Sequence, residues 1–204
     1  MKVTEILRRR GHILEDRFDD GTYINLDKSF FETLSLKAGD EISEDTANDL
    51  EDRSDFLRCK NRAFYYLSNS SISEKNLRAK LLKTGFAPWC VEETVKRCKE
   101  LGYINDQSYA LRLKEKYDEN NLSNRAIKEK LINSGISSEK AKALCVYDSD
   151  FEQEKIRNLL NSKYKNKLYE TESVRKVTNA LIRSGFTFSD INSVMKLDVF
   201  NSEE

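Results

Sequence analysis

The chain has 204 residues, 34 % of them charged, with 35 basic and 35 acidic side chains, one Pro and a mean hydropathy of −0.70. Its longest uncharged stretches, such as Ala63 to Ile72, are too short and too polar to span a bilayer, so no membrane association is expected. The N-terminus, MKVTEILRRR, lacks the apolar core and small-residue cleavage site of a signal peptide, and a cytoplasmic location is expected.

The first 50 or so residues read as strands. KVTEILRR alternates loosely, and ILEDRFDDGTYINL reads as a hairpin turning at Asp19-Asp20-Gly21, where the tight turn needs residues that tolerate positive φ. Leu36 to Asp40 resembles a second turn. From Ser43 the pattern becomes helical, and a boundary is placed near residue 56. This piece is small for a core of its own and is expected to lean on the helices C-terminal to it. Charge divides in the same place. Residues 1–57 carry a net −7, residues 58–197 a net +10 and the last seven −3. The basic part therefore suits an anionic partner, either nucleic acid or protein.

Beyond the boundary the sequence repeats itself at intervals of 50 residues. SEKNLRAKLLKTGF (Ser73 to Phe86), SNRAIKEKLINSGI (Ser123 to Ile136) and SVRKVTNALIRSGF (Ser173 to Phe186) align without a gap. Ser73, Ser123 and Ser173 are expected as N-caps, and Gly85, Gly135 and Gly185 as helix stops. Leu77, Ile127 and Val177, then Leu81, Leu131 and Leu181, then Leu82, Ile132 and Ile182 are expected to form a buried stripe. Ala87, Ser137 and Thr187 occupy the next N-cap, with Pro88 at a first helical position. The second helix of each such pair is predicted at about 88–101, 138–147 and 188–196, and the preceding ones at about 57–69, 106–119 and 150–165. The expected fold is mainly α, with three tandem three-helix repeats forming an elongated curved array and a small β-rich N-terminal module. The expected divisions are 1–56 for the acidic module, 57–101 and 102–148 for two repeats, and 149–204 for the third repeat with a short acidic tail.

Cations recur at matched places on the middle helix of each repeat. Lys75, Arg125 and Arg175 stand two residues after the capping serines. Arg78 and Lys128 share a slot, as do Lys80 and Lys130, and Lys83 and Arg183. A cation so near a helix start opposes the macrodipole by ~0.3–1 kcal/mol, and its recurrence in three repeats leans towards function over plain solvation. Stacked repeats would set these charges along one side, to suit a periodic anionic surface. Lys163, Lys165 and Lys167 form a further basic run around Tyr164. The tyrosines are expected mostly at core edges, and Trp89 packed between repeats.

In this setting, LGYINDQSYA (Leu101 to Ala110), with Asp106, Tyr109 and Ala110 opening a helix, resembles the motif between the first and second repeats of the RecX family. Ala63 to Phe86 is similar to that family's first repeat. Ser184-Gly185-Phe186 followed by Ser189, Ile191 and Val194 looks like its third. The resemblance covers residues 58–197. Ser68 to Ser71, and Glu170 and Glu172, depart from its basic pattern. It implies a regulator of DNA repair and recombination that binds the RecA recombinase filament on DNA and restrains strand exchange, ATP hydrolysis and filament extension. Direct binding to single- or double-stranded DNA would be weak.

Nothing in the sequence points to an enzyme or a cofactor. Nucleotide-loop, zincin and nucleophile-elbow patterns are absent, and the single histidine, His12, lies on the leader without a partner. The four cysteines, Cys59, Cys90, Cys98 and Cys145, have no CxxC spacing and are expected as buried reduced thiols, with no metal. A monomer is expected. The competing readings are a general DNA-binding repeat protein acting without a recombinase, resting on the net charge, and a nucleic-acid enzyme, which no spacing supports.

Overall fold

The first strands form because short alternating runs are joined by tight turns. In the computed structural model, which describes residues 1–165 and 171–200, these are β1 (Val3–Arg8), β2 (Ile13–Phe18) and β3 (Tyr23–Asp27). They make an antiparallel sheet in the order β1-β2-β3. The expected turn closes with the Gly21 amide donating to the Phe18 carbonyl at 3.1 Å, and Gly21 at φ +84°. After β3 comes a short helix, α1 (Lys28–Phe31), which the sequence pattern does not announce. Its cap is Asp27, whose carboxylate accepts from the Ser29 and Phe30 amides.

The chain divides into two compact units, Met1–Ile104 and Asn105–Glu204. In the first, α2 (Glu44–Asn69) runs for 26 residues. Ser43 caps it, Glu44 and Asp45 favour its first turn, and it contains neither Gly nor Pro, so it passes residue 56 unbroken. One helix thus serves two cores. Ala47 joins Val3, Phe18, Ile24 and Leu26 over the sheet, while Cys59 and Ala63 join Leu77 and Leu81 of α3 (Glu74–Lys83) and Val91 and Val95 of α4 (Pro88–Glu100). Glu51 and Ser54 bind the sheet from the same helix, accepting the Asn25 and Asp27 amides at 3.0 and 2.6 Å.

Adjacent carboxylates on β2 meet opposite fates, because alternate residues face opposite sides of a sheet. Glu15 accepts from Arg9 and Arg17 at 2.7 and 2.8 Å, which hold its carboxyl down at about 2. Asp16 is fully buried, with no hydrogen-bond partner for either oxygen among the described residues, and burial pushes its carboxyl up to about 6.

The second unit holds α5 (Asp106–Glu119), α6 (Asn124–Asn133) and α7 (Ser138–Leu144), then α8 (Ser149–Ser162), α9 (Thr171–Arg183) and α10 (Phe188–Phe200). Each triplet has its own core, Ala110, Ile127, Leu131 and Ala141 in one, and Ile156, Leu160, Val177, Leu181 and Ile191 in the other. Between the triplets Ser123 donates from Oγ to the Ser184 carbonyl at 2.6 Å. A Cβ on Gly185 would come within 2.6 Å of that same Oγ, so this helix-stopping glycine, at φ +92°, also permits a close approach.

Two expectations need correction. Leu82 and Ile182 are each 43 % exposed and Ile132 is half-buried, so this position leaves the stripe at its edge. At 100° per residue it sits 100° from Leu81 and 140° from Leu77, outside the arc that packs. Ser73 and Ser123 do cap their helices, accepting from the Asn76 and Ala126 amides, but Ser173 is the third residue of α9. Arg175 therefore lies beyond the first turn, and the unfavourable placement of a cation holds in two repeats of three.

Candidate partner-binding face

The stripe at Leu77 and Leu81 fixes how α3 can turn, and the positions opposite it face water. Lys75, Lys80 and Lys83 are exposed there, flanking Leu82. On α6 the exposed cations are Arg125 and Lys130, with Lys128 half-buried and Ile132 at the edge. On α9 they are Arg175, Lys176 and Arg183, with Arg183 beside exposed Ile182. Each middle helix therefore presents one apolar side chain among cations. Lys80 and Lys130 lie over the Tyr66 and Tyr117 rings at 5.1 and 5.6 Å from the centroids, which aims both stems along the aromatic edge of their own repeat. Arg125 stands 3.6 Å from Glu129 in an exposed pair that holds it only weakly.

Arg78 is placed differently. It donates to Glu92 through Nε and Nη2 at 2.7 and 2.8 Å and reaches Glu74 at 3.2 Å, while Lys99 closes on Glu74 at 2.8 Å. These cations hold both carboxyls below the usual range. Arg78 thus clamps α3 to α4, a bond to a residue 14 positions away that repeat alignment does not reveal. The basic run around Tyr164 lies at the end of α8, on a different element from α9. Lys163 and Lys165 are exposed, with Lys163 5.3 Å from the centroid of buried Tyr164. Lys167 lies outside the described residues. Trp89, expected to be packed, is 48 % exposed at the start of α4.

Two buried polar clusters in the second unit have no signature in the sequence. Lys155, 2 % exposed, pairs with Asp118 at 2.7 Å and Glu152 at 3.5 Å, touches Asn124 Oδ1 at 3.4 Å, and lies 4.4 Å from the Phe151 centroid. Glu152 also accepts the Asn124 amide at 2.9 Å, and burial raises its carboxyl above the ordinary value. Asp190 accepts from Tyr147, Ser149 and Thr187 at 2.6 to 2.8 Å. Every bond in both clusters is made inside the unit, so the clusters are read as structural.

The thiols of Cys59, Cys90 and Cys98 are buried and free, and burial pushes all three up, Cys90 to about 12, where thiolate chemistry is suppressed. Among the described residues no group of three His, Cys, Asp or Glu side chains could hold a metal, and no helix is long and apolar enough to cross a membrane.

Residues 59–98 match the family model of RecX, first three-helix domain. A protein named Regulatory protein RecX from Caldanaerobacter subterraneus subsp. tengcongensis is 30 % identical over 200 residues, spanning 97 % of this chain and all of its own. Its namesake in Clostridioides difficile is 28 % identical over 87 % of this chain and 85 % of its own. A solved RecX structure aligns over 96 % of this chain and 98 % of its own with a TM-score of 0.65 at 21 % identity, which concerns the fold. Another, RecX from Lactobacillus salivarius, aligns over 72 % of this chain and 99 % of its own with a TM-score of 0.60 at 25 % identity. With a middle helix of matched construction in each of three repeats, and a full-length relative at this identity, the chain belongs to the RecX family of regulatory proteins.

Proposed function

We propose that this protein binds the RecA filament on DNA through its three middle helices and restrains recombinase activity by occupancy, without catalysis. One observation carries the reading. Leu82, Ile132 and Ile182 stand at the same place in the three repeats, each exposed or half-exposed among cations. An apolar centre with a charged rim is the anatomy of a protein interface, whereas a phosphate backbone offers nothing for Leu or Ile to bury against. Lys75, Lys80, Lys83, Arg125, Lys128, Lys130, Arg175 and Arg183 supply the rim. Arg78 serves the repeat's own packing, and the Lys163–Lys167 run is an auxiliary cationic contact for an anionic partner.

The second reading, a general DNA-binding protein, is favoured by the net +10 of residues 58–197. One experiment separates the two. RecA ATPase on single-stranded DNA is followed with substoichiometric amounts of this protein, beside its binding to naked DNA. Inhibition well below one protein per recombinase subunit, abolished by the combined changes Lys75→Glu, Arg125→Glu and Arg175→Glu at unchanged helix content, is the expected result. An unaffected ATPase with tight binding to naked DNA supports the second reading instead.

A further inference from the structure

We propose that a concavity in the first unit, between the β1–β2 turn and the second half of α2, is a binding site for single-stranded nucleic acid. This goes beyond the filament reading, which uses other helices and a protein partner. The site encloses about 460 Å³, within the ordinary range of ligand pockets, and Arg10, Arg58, Asn61, Arg62, Tyr65 and Phe86 line it.

The charge there is unspent. In this unit Arg9, Arg17, Arg53, Arg58, Arg78 and Arg97 each have a carboxylate within 3.0 Å. Arg8, Arg10 and Arg62 have none among the described residues, and of these Arg10 and Arg62 face the same concavity. Arg58 meets Asp55 through Nη1 at 2.8 Å, which leaves other donors of its guanidinium fork for a second anion. The one carboxylate among the described lining residues, Asp27, is already engaged in capping α1. Arg10 also stands on a fixed turn. The Arg9 amide donates to the Ile13 carbonyl and the Lys28 amide to the His12 carbonyl, each at 2.8 Å. An anion entering here meets preorganised donors and displaces no internal ion pair.

The aromatic ring selects the kind of anion. In the run Phe64-Tyr65-Tyr66, Phe64 and Tyr66 pack against the repeat core, while Tyr65 is 58 % exposed. The Arg62 guanidinium lies 5.7 Å from the Tyr65 centroid, so ring and cation form one platform. Successive phosphates with unpaired bases between them satisfy both, the bases stacking on Tyr65 and the phosphates reaching Arg10, Arg58 and Arg62. A duplex keeps its base faces covered, and an acidic peptide leaves the ring unused.

The test is fluorescence anisotropy of a labelled oligothymidylate with the full chain. Arg10→Glu with Arg62→Glu is expected to weaken binding tenfold or more. Tyr65→Ala is expected to weaken it about 5- to 150-fold, and Tyr65→Phe to retain it. Arg53→Glu, the same charge change as Arg62→Glu alone and on the same helix, is expected to have little effect. All four positions are exposed, so melting curves should be unchanged. Equal losses in the pocket and Arg53 variants would reduce the effect to overall charge and overturn the site. So would Tyr65→Ala without effect, competition by polyglutamate at matched charge, duplex binding as tight as single-strand binding, or no binding at all.

Discussion

Asp16 has a measurable consequence at the scale of one residue. Its carboxyl titrates near 6 in the folded protein against 3.8 ordinarily, because it is buried without a partner. Below about 3.8 both folded and unfolded chains hold the proton. Between about 3.8 and 6 only the unfolded chain has lost it, so stability falls as pH rises through that window and levels off above it. Asp16→Val, which puts an apolar branched residue between Leu14 and Phe18 on a strand, should stabilise the protein at neutral pH by on the order of 1–3 kcal/mol. It should also flatten this part of the profile. Urea unfolding from pH 4 to 7 reads both, and an unaltered slope in the variant would refute the assignment. Lys155 gives the opposite case, a buried cation that its neighbours require. Lys155→Met should cost about 3–5 kcal/mol by leaving buried Glu152 without a cation and Asp118 with Lys114 alone. Adding Asp118→Asn and Glu152→Gln should return part of that loss, as seen in melting temperature.

Within single elements, the sequence is informative where the physics is local and silent where it is not. The capping serines Ser73 and Ser123, the stripe at 77, 81, 127, 131, 177 and 181, and the glycines at 85, 135 and 185 act within one or two turns, so alignment finds them. The Asp19–Gly21 hairpin is legible for the same reason. Arg78 with Glu92, Lys155 with Asp118, and Arg10 beside Arg62 join residues 14 to 52 positions apart, and no periodicity encodes them. Leu82 departs from its expected burial because an apolar residue next to a stripe resembles a member of it until the 100° step is applied. That step yields a paired prediction. Leu81→Ala, at a fully buried position, should destabilise by ~2–5 kcal/mol. Leu82→Asp one residue later should change stability by no more than about 0.5 kcal/mol, while under the proposed function Leu82→Asp with Ile182→Asp should remove the effect on RecA ATPase. Loss of stability in the Leu82 variant would return that residue to the core.

At the scale of the whole molecule, the question is what the net +10 of residues 58–197 does when the partner is a filament. Charge alone gives a defined signature. Each duplex phosphate neutralised changes log K by about 0.9 per decade of salt, so six to ten such contacts would erode affinity by a factor of about 10³–10⁵ between 50 and 200 mM salt. A face built from an apolar centre with cations around it behaves otherwise. On the proposed reading, Leu82, Ile132 and Ile182 would contribute a part that salt does not weaken, and rim charges would act mainly on the rate of encounter. The midpoint for inhibition of RecA ATPase should therefore shift less than about tenfold over that range, while binding to naked DNA collapses. RecA's own dependence on salt is removed by comparing parent and Lys75→Glu/Arg125→Glu/Arg175→Glu proteins at each concentration. If inhibition and naked-DNA binding weaken in parallel, phosphates carry the affinity and the apolar centres are incidental. If inhibition persists after DNA binding is gone, the three middle helices recognise protein.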